Sequence, residues 1–498
     1  MTSNQIAISG IVLVLLVFAA VGFFNARIIK KKSNFLFAEN IKSDNIAVNI
    51  SATFSSLAGP FFFFMLQASN FGYMLIVLLA FQWLGHKYFL RLVEGLSIDP
   101  QHTGSIYRLI RHLTGSKKVA DAANIIVAIN TFFLLSIELI LGSAVFAYFA
   151  INIPEASFYA FIALAIITII YIVSGGFRLV FLTDKWQFSL VALGIVLALT
   201  SVFYALSAKI GVTGSLLAIV DLLKNPLLPG MLLFAFLLNT LATTFTQACV
   251  QVSSWQRIAS ADSYPEIKKG VEKAINRQFL LIWFAAIVIG AISVELGSSI
   301  TGVGDIANLI KETGFIGEFI VFPLLMTGLV AALMSTADSH LISLMLSLDD
   351  FANKWYEKSV LIKLNGGVQI WFGALAALIG VALVGEYVWF ESLQTEWKQK
   401  ITQLMFAGYG QAGLLFPLIY AVTRGASSYG ISGGTLKRAN ELVVMSIIYV
   451  ALFVYWVLHW IAMTKGSFLL SQLVPVIGLA IVALAIPFVN IAKVASDD

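Results

Sequence analysis

The sequence predicts an all-α polytopic membrane protein, and three observations carry that expectation. Of its 498 residues 59% are hydrophobic and only 11% charged, with a mean hydropathy of +0.91. A soluble chain of this length could not cover its surface with so few polar groups. The apolar runs are long and do not alternate, so the spans are helices rather than barrel strands. Lys and Arg gather in alternate connecting segments, as they do in a chain threaded back and forth through a bilayer.

Thirteen spans are expected, at 6–25, 47–73, 74–92, 120–150, 158–173, 181–208, 232–252, 275–296, 319–348, 367–384, 400–422, 442–462 and 468–492. The first lacks a basic leader and a small-x-small cleavage site, and positive charge follows it. It reads as a retained helix, not a signal peptide. With the N-terminus outside, the inner segments hold 25 of the 31 Lys and Arg residues and the outer segments six. That bias sets the orientation, and an odd number of spans puts the C-terminus in the cytoplasm. The net charge of +5 then reflects membrane orientation and not nucleic-acid binding. The single cysteine, Cys249, leaves no intramolecular disulfide and no cysteine cluster for a metal. No linker or soluble domain separates the spans, so the chain is expected to be one transmembrane unit without a kinase or other output domain.

Several spans carry more than lipid-facing side chains. Span 47–73 contains Gly59-Pro60, and a proline here frees the backbone oxygen of Ser56. Discontinuous helices of this kind supply bare carbonyls to ions in transporters. An ordinary proline kink is the alternative. In segment 174–187, Asp184 lies at the start of the next expected span, either as a helix N-cap or as a carboxylate that meets a cation near the inner face.

In span 319–348, Ala332, Ser335 and Ser339 recur on one helical face, with Thr336 and Asp338 beside them. A carboxylate at such depth costs about 2.5–3.5 kcal/mol and so usually has a partner and a purpose. Oxygen-only ligands favour a hard cation such as Na⁺. The alternative is a stripe of small residues (Thr327, Ala331, Ser335, Ser339, Ser343) that lets two helices pack closely. Asn239, Thr243 and Gln247 form a second polar stripe, and Thr131 and Glu138 share a face on another helix. Such stripes line a cavity or join helices. The chain has no phosphate loop, HExxH, GxSxG or Cys-His cluster, which excludes the commonest enzyme and ATP-driven pump chemistries.

Three segments together resemble the sodium/solute symporter family, whose members carry sugars, proline, sialic acid, urea and vitamins. They are Ala-Ala-Leu-Met-Ser-Thr-Ala-Asp-Ser at 331–339, Gly-Gly-Phe-Arg-Leu-Val-Phe-Leu-Thr-Asp-Lys-Trp-Gln at 175–187, and Trp-Gln-Arg-Ile-Ala-Ser-Ala at 255–261. The resemblance runs over essentially the whole chain. It implies a leucine-transporter-type fold of 13 transmembrane helices with a 5+5 inverted repeat. An extra N-terminal helix (6–25) precedes the first repeat (47–208), and two extra helices (442–492) follow the second (232–422).

By the same resemblance one sodium site takes carbonyls from Thr53, Ser56 and Ala332 and hydroxyls from Ser335 and Thr336. A second, more cytoplasmic site takes Asp184, Ser335, Asp338 and Ser339. Ser55, Pro60, Gln82, Glu138, Asn239, Thr243, Gln247 and Gln411 would surround the solute. The expected function is Na⁺-coupled symport of a small polar organic solute by a monomer in the plasma (inner) membrane bilayer. A proton-coupled carrier and a transporter-like solute sensor are the alternatives. Two features depart from the family pattern: the aromatic block Phe61–Phe64, and Glu138 where a neutral amide is expected. The second favours a cationic or zwitterionic solute. Span 232–252 has no Gly or Pro to mark the break expected in the second repeat.

Overall fold

The computed structural model describes residues 2–26, 35–36, 58–94, 96, 104–150, 155–225, 228–261, 263–297, 303–358, 367–392, 410–411, 413–429 and 438–489. Among the described residues there are helices and no strand. In chain order they are α1 (Ser3–Ala26), α2 (Ala58–Phe71), α3 (Met74–Glu94), α4 (Ile106–Thr114), α5 (Lys117–Phe149) and α6 (Ala156–Lys224). There follow α7 (Gly230–Thr243), α8 (Gln247–Val250), α9 (Val252–Ala259), α10 (Tyr264–Arg277), α11 (Phe284–Glu295) and α12 (Val303–Lys311). The last five are α13 (Phe322–Lys358), α14 (Gly367–Ser392), α15 (Phe416–Tyr429), α16 (Arg438–Thr464) and α17 (Phe468–Ala483).

Among the described residues nine helical stretches are long and apolar enough to cross a membrane. The expected spans map onto helices unevenly. Spans 158–173 and 181–208 both lie in the continuous stretch α6, where successive helices meet at kinks with non-helical backbone at Gly176 and Gly211. Span 232–252 is divided between α7 and α8, and span 400–422 is described only from residue 410 onward. Thr53, Ser55 and Ser56 lie outside the described residues, and Pro60 falls in the first turn of α2.

Helix α13 sits at the centre, packed against α6, α5 and α1. In the apolar stretch Gly317–Ala352, most of which is α13, 78% of the residues in an 18-residue apolar window are buried inside the protein, against 22% for such a window in Ser3–Val21 of α1 and 28% in Val368–Ser392 of α14. A helix surrounded by protein can hold polar side chains at membrane depth, because neighbouring helices and not lipid meet them. The bend that starts the second part of α6 depends on Gly176, whose φ of 56° belongs to the left-handed region. A Cβ there would also fall 2.6 Å from the carbonyl oxygen of Phe35. This explains the Gly-Gly of segment 174–187 physically. At one end of α13, Arg108 of α4 pairs with Asp350 at 3.1 Å and fixes the two helices together.

Candidate ion and solute sites

The bend at Gly176 brings Asp184 against α13. The helix starts well before this residue, so Asp184 is in mid-helix and not at an N-cap. Ser335 Oγ donates a 2.6 Å hydrogen bond to Asp184 Oδ1, and the acid is fully buried. One turn further along α13, Asp338 is also fully buried. Neither oxygen of Asp338, nor Oδ2 of Asp184, has a hydrogen-bond partner among the described residues. Buried acceptors without donors are costly, and a cation is the group that satisfies several at once.

The fourth member, Ser339, accepts a 3.2 Å bond from Arg257 Nη2 of α9. A guanidinium keeps its charge at neutral pH, and that of Arg257 acts on both Asp184 and Asp338. With both acids ionised, two carboxylates and one guanidinium leave a single negative charge. One monovalent cation balances it. Among the described residues no group of three or more His, Cys, Asp and Glu could hold a metal ion.

Of the other expected sodium ligands, Thr336 Oγ1 donates to Ala332 O at 2.9 Å. The carbonyl keeps a second lone pair for an ion. The segment Trp255–Ala261 owes its polar residues to this region. Besides Arg257, Gln256 accepts from Ser343 Oγ of α13 at 2.7 Å, and Trp255 Nε1 donates to Cys249 O at 2.9 Å.

The expected break in span 232–252 exists, and a threonine hydroxyl bonds carbonyls freed at it. Helix α7 ends at Thr243, residues 244–246 form a turn, and Gln251 is extended with ψ 124°. Thr240 O receives the N–H groups of both Thr244 (2.9 Å) and Phe245 (3.4 Å). Thr246 Oγ1 donates to Ala242 O at 2.8 Å and Thr243 O at 3.0 Å, replacing backbone donors that the turn withdraws. Side chains of this kind compete with helical hydrogen bonds.

Around the break the structure joins some expected solute residues and separates others. Gln82 Nε2 of α3 donates to Gln247 Oε1 at 3.1 Å. Asn239 Nδ2 instead donates to Gln472 Oε1 of α17 at 2.7 Å. Asn239 Oδ1, Gln247 Nε2 and both amide atoms of Gln411 are buried without partners among the described residues. Thr243 Oγ1 turns back to Asn239 O at 2.8 Å. Glu138 is buried at 2% exposure on α5, whose principal neighbours are α13 and α6. Arg257, Thr246 and Gln472 were not singled out as site residues from the sequence. Gln472 had a signal, being an amide inside the apolar span 468–492.

No family model matches the chain, and no curated protein matches it in sequence. Solved structures do. A Na⁺-coupled sialic acid symporter in a substrate-bound outward-open state superposes with a TM-score of 0.66 at 17% identity, covering 96% of each chain. MhsT in complex with L-phenylalanine gives 0.55 at 14% identity, covering 91% of this chain and 98% of its own. A nucleobase-cation-symport-1 family transporter closed around bromovinylhydantoin gives 0.51 at 14%, covering 91% and 93%. At these identities the likeness fixes architecture: the chain has the leucine-transporter-type fold that its three segments implied.

Proposed function

We propose that this protein is a secondary active transporter of the sodium/solute symporter type, coupling inward Na⁺ flow to uptake of a small polar organic solute by alternating access. The observation that carries this is the buried cluster of Asp184, Ser335, Asp338 and Ser339, in which three of the four carboxylate oxygens lack donors among the described residues in a helix pair at membrane depth. Na⁺ there would be cargo. Thr53 and Ser56, with Ala332, Ser335 and Thr336, would hold the other ion. The amides near the broken α7 would meet the solute, Gln82 and Gln247 as a pair and Gln411 with its whole amide available. The N-terminus faces outward in a plasma membrane on the charge count. Moving one charge inward releases about 2.3 kcal/mol per 100 mV, enough to concentrate a neutral solute roughly fiftyfold.

Proton coupling through Asp338 is the second reading, favoured by its two donor-free oxygens. Counterflow in proteoliposomes against sugars, amino acids, urea and sialic acid separates the two. Uptake should follow a Na⁺ gradient at constant pH, with two Na⁺ per solute, falling to one in Asp184→Asn. Uptake that follows a pH gradient without Na⁺ rejects the sodium reading.

A further inference from the structure

A groove of about 510 Å³ runs between α3 and α10, and Phe245, in the turn that breaks span 232–252, forms part of its lining. Helical spacing builds its walls. Trp83, Lys87 and Arg91 recur four apart on α3, and Tyr264, Lys268 and Glu272 do the same on α10. The charges are not all committed. Lys87 Nζ meets Glu272 Oε1 at 2.8 Å and lies 5.7 Å from the centre of the Trp83 ring. Tyr264 OH donates to Leu90 O at 3.2 Å, with Glu94 close enough to act on the phenol. Arg91 and Lys268 form no hydrogen bond or ion pair among the described residues, although both line the groove.

The surroundings define what would bind there. Trp83 and Leu84 are 40% and 45% exposed on a helix that is long and apolar enough to cross the membrane, so they face acyl chains. The charged end of α3 leads into the basic segments assigned to the cytoplasm, where the leaflet is anionic. We propose that this groove binds the phosphate-bearing headgroup of an anionic phospholipid. Arg91 and Lys268 take the phosphate oxygens, and Trp83 and Leu84 carry the first methylenes of an acyl chain. The Lys87–Glu272 pair closes one end without adding net charge, and Glu94 weakens the site by repulsion.

An occupant would rest against the broken helix. The Phe245 ring lies 5.7 Å from Tyr88 and 5.9 Å from Phe416. Its carbonyl is packed so tightly on Gly85 that a Cβ there would fall 2.1 Å from the oxygen. A lipid in the groove therefore touches the break through Phe245.

The test measures lipid retention by native mass spectrometry and thermal midpoint on the purified full chain. Vesicles or mixed micelles of phosphatidylcholine are compared with the same containing phosphatidylglycerol, and with inorganic phosphate added to phosphatidylcholine. Phosphatidylglycerol should bind and raise the midpoint. Arg91→Gln combined with Lys268→Gln should weaken that binding by about tenfold or more, with an unchanged midpoint in phosphatidylcholine. Glu94→Gln should bind phosphatidylglycerol more tightly than the parent. Equal binding by the double variant, or equal binding of phosphatidylcholine, overturns the site. Stabilisation by inorganic phosphate alone overturns the lipid assignment. If the double variant does not fold, Glu94→Gln decides: tighter binding supports the site, and unchanged or weaker binding rejects it.

Discussion

The two polar regions of this protein solve the problem of burial differently. Between α6 and α13 the groups are carboxylates and hydroxyls, with one guanidinium nearby, and three of the four carboxylate oxygens have no donor among the described residues. Around the broken α7 the groups are amides and threonine hydroxyls without charge, and the orphaned atoms include donors as well as acceptors. The first region is suited to a bare cation, which is all acceptor-seeking charge. The second is suited to a neutral or zwitterionic solute that both gives and takes hydrogen bonds. Charge separates the duties, and substitutions should therefore separate them too.

The largest expected effect is on the ion. Ser335→Ala with Thr336→Ala removes two hydroxyls from one helix face, and one of them bonds Asp184 directly. The apparent Na⁺ affinity should fall at least about tenfold, about 1.4 kcal/mol, with solute affinity at saturating Na⁺ little changed. Na⁺ titration of solute uptake measures it. An unaltered Na⁺ curve in the double variant would remove the hydroxyls from the site and erase the distinction between the two regions.

How far each region was legible in the sequence follows from the same chemistry. Asp184, Ser335, Asp338 and Ser339 could be read because ionisable or closely spaced polar groups stand out in apolar spans. Their meeting could not be read, since the partners are 151 positions apart in the Ser335–Asp184 bond and depend on the bend at Gly176. The break in span 232–252 is expected from the resemblance, but its position has no Gly or Pro to mark it. Here Thr240–Thr246 unwinds the helix through side-chain bonds to its own carbonyls, and threonines mid-helix usually do nothing of the kind. Asn239 is expected to face the solute, and its amide N–H also reaches Gln472 of the extra C-terminal helix. A register between two distant helices has no local pattern to betray it. The boundary between the two spans inside α6 carries a subtler signal, a glycine whose non-helical backbone lets one helix run into the next without a loop.

A smaller effect is expected from Gln472→Leu, a change of similar volume that leaves the Asn239 amide donor without its 2.7 Å partner. An unsatisfied buried donor costs about 1–3 kcal/mol, part of which the amide can avoid by rotating. Rotation would turn a donor where Oδ1 now points, so solute affinity should fall by roughly fivefold, about 1 kcal/mol. Na⁺ affinity should stay as it was. A matched loss of both affinities would mean that α17 supports the whole transporter and not the solute region in particular.

The smallest effect tests how the second break is held. Thr246→Val keeps the shape of the side chain and removes the hydroxyl that serves Ala242 O and Thr243 O. Hydrogen bonds of this kind are worth about 1 kcal/mol net, and a carbonyl at a broken helix can take water in exchange. The expected result is a small drop in thermal midpoint and a two- to threefold change in solute affinity at most, by the rule of about 1.4 kcal/mol per decade. Thr246→Ser retains the hydroxyl but not the methyl, so it should restore the parent behaviour if the bond is what matters. If Thr246→Val is as stable as the parent and Thr246→Ser is not, the methyl contact is responsible. The turn would then be set by packing, including that of residue 413, where a Cβ would lie 2.5 Å from Ala242 O. That outcome would make the break a matter of close approach rather than of hydroxyl chemistry, and would bring the region around α7 nearer in kind to the bend at Gly176.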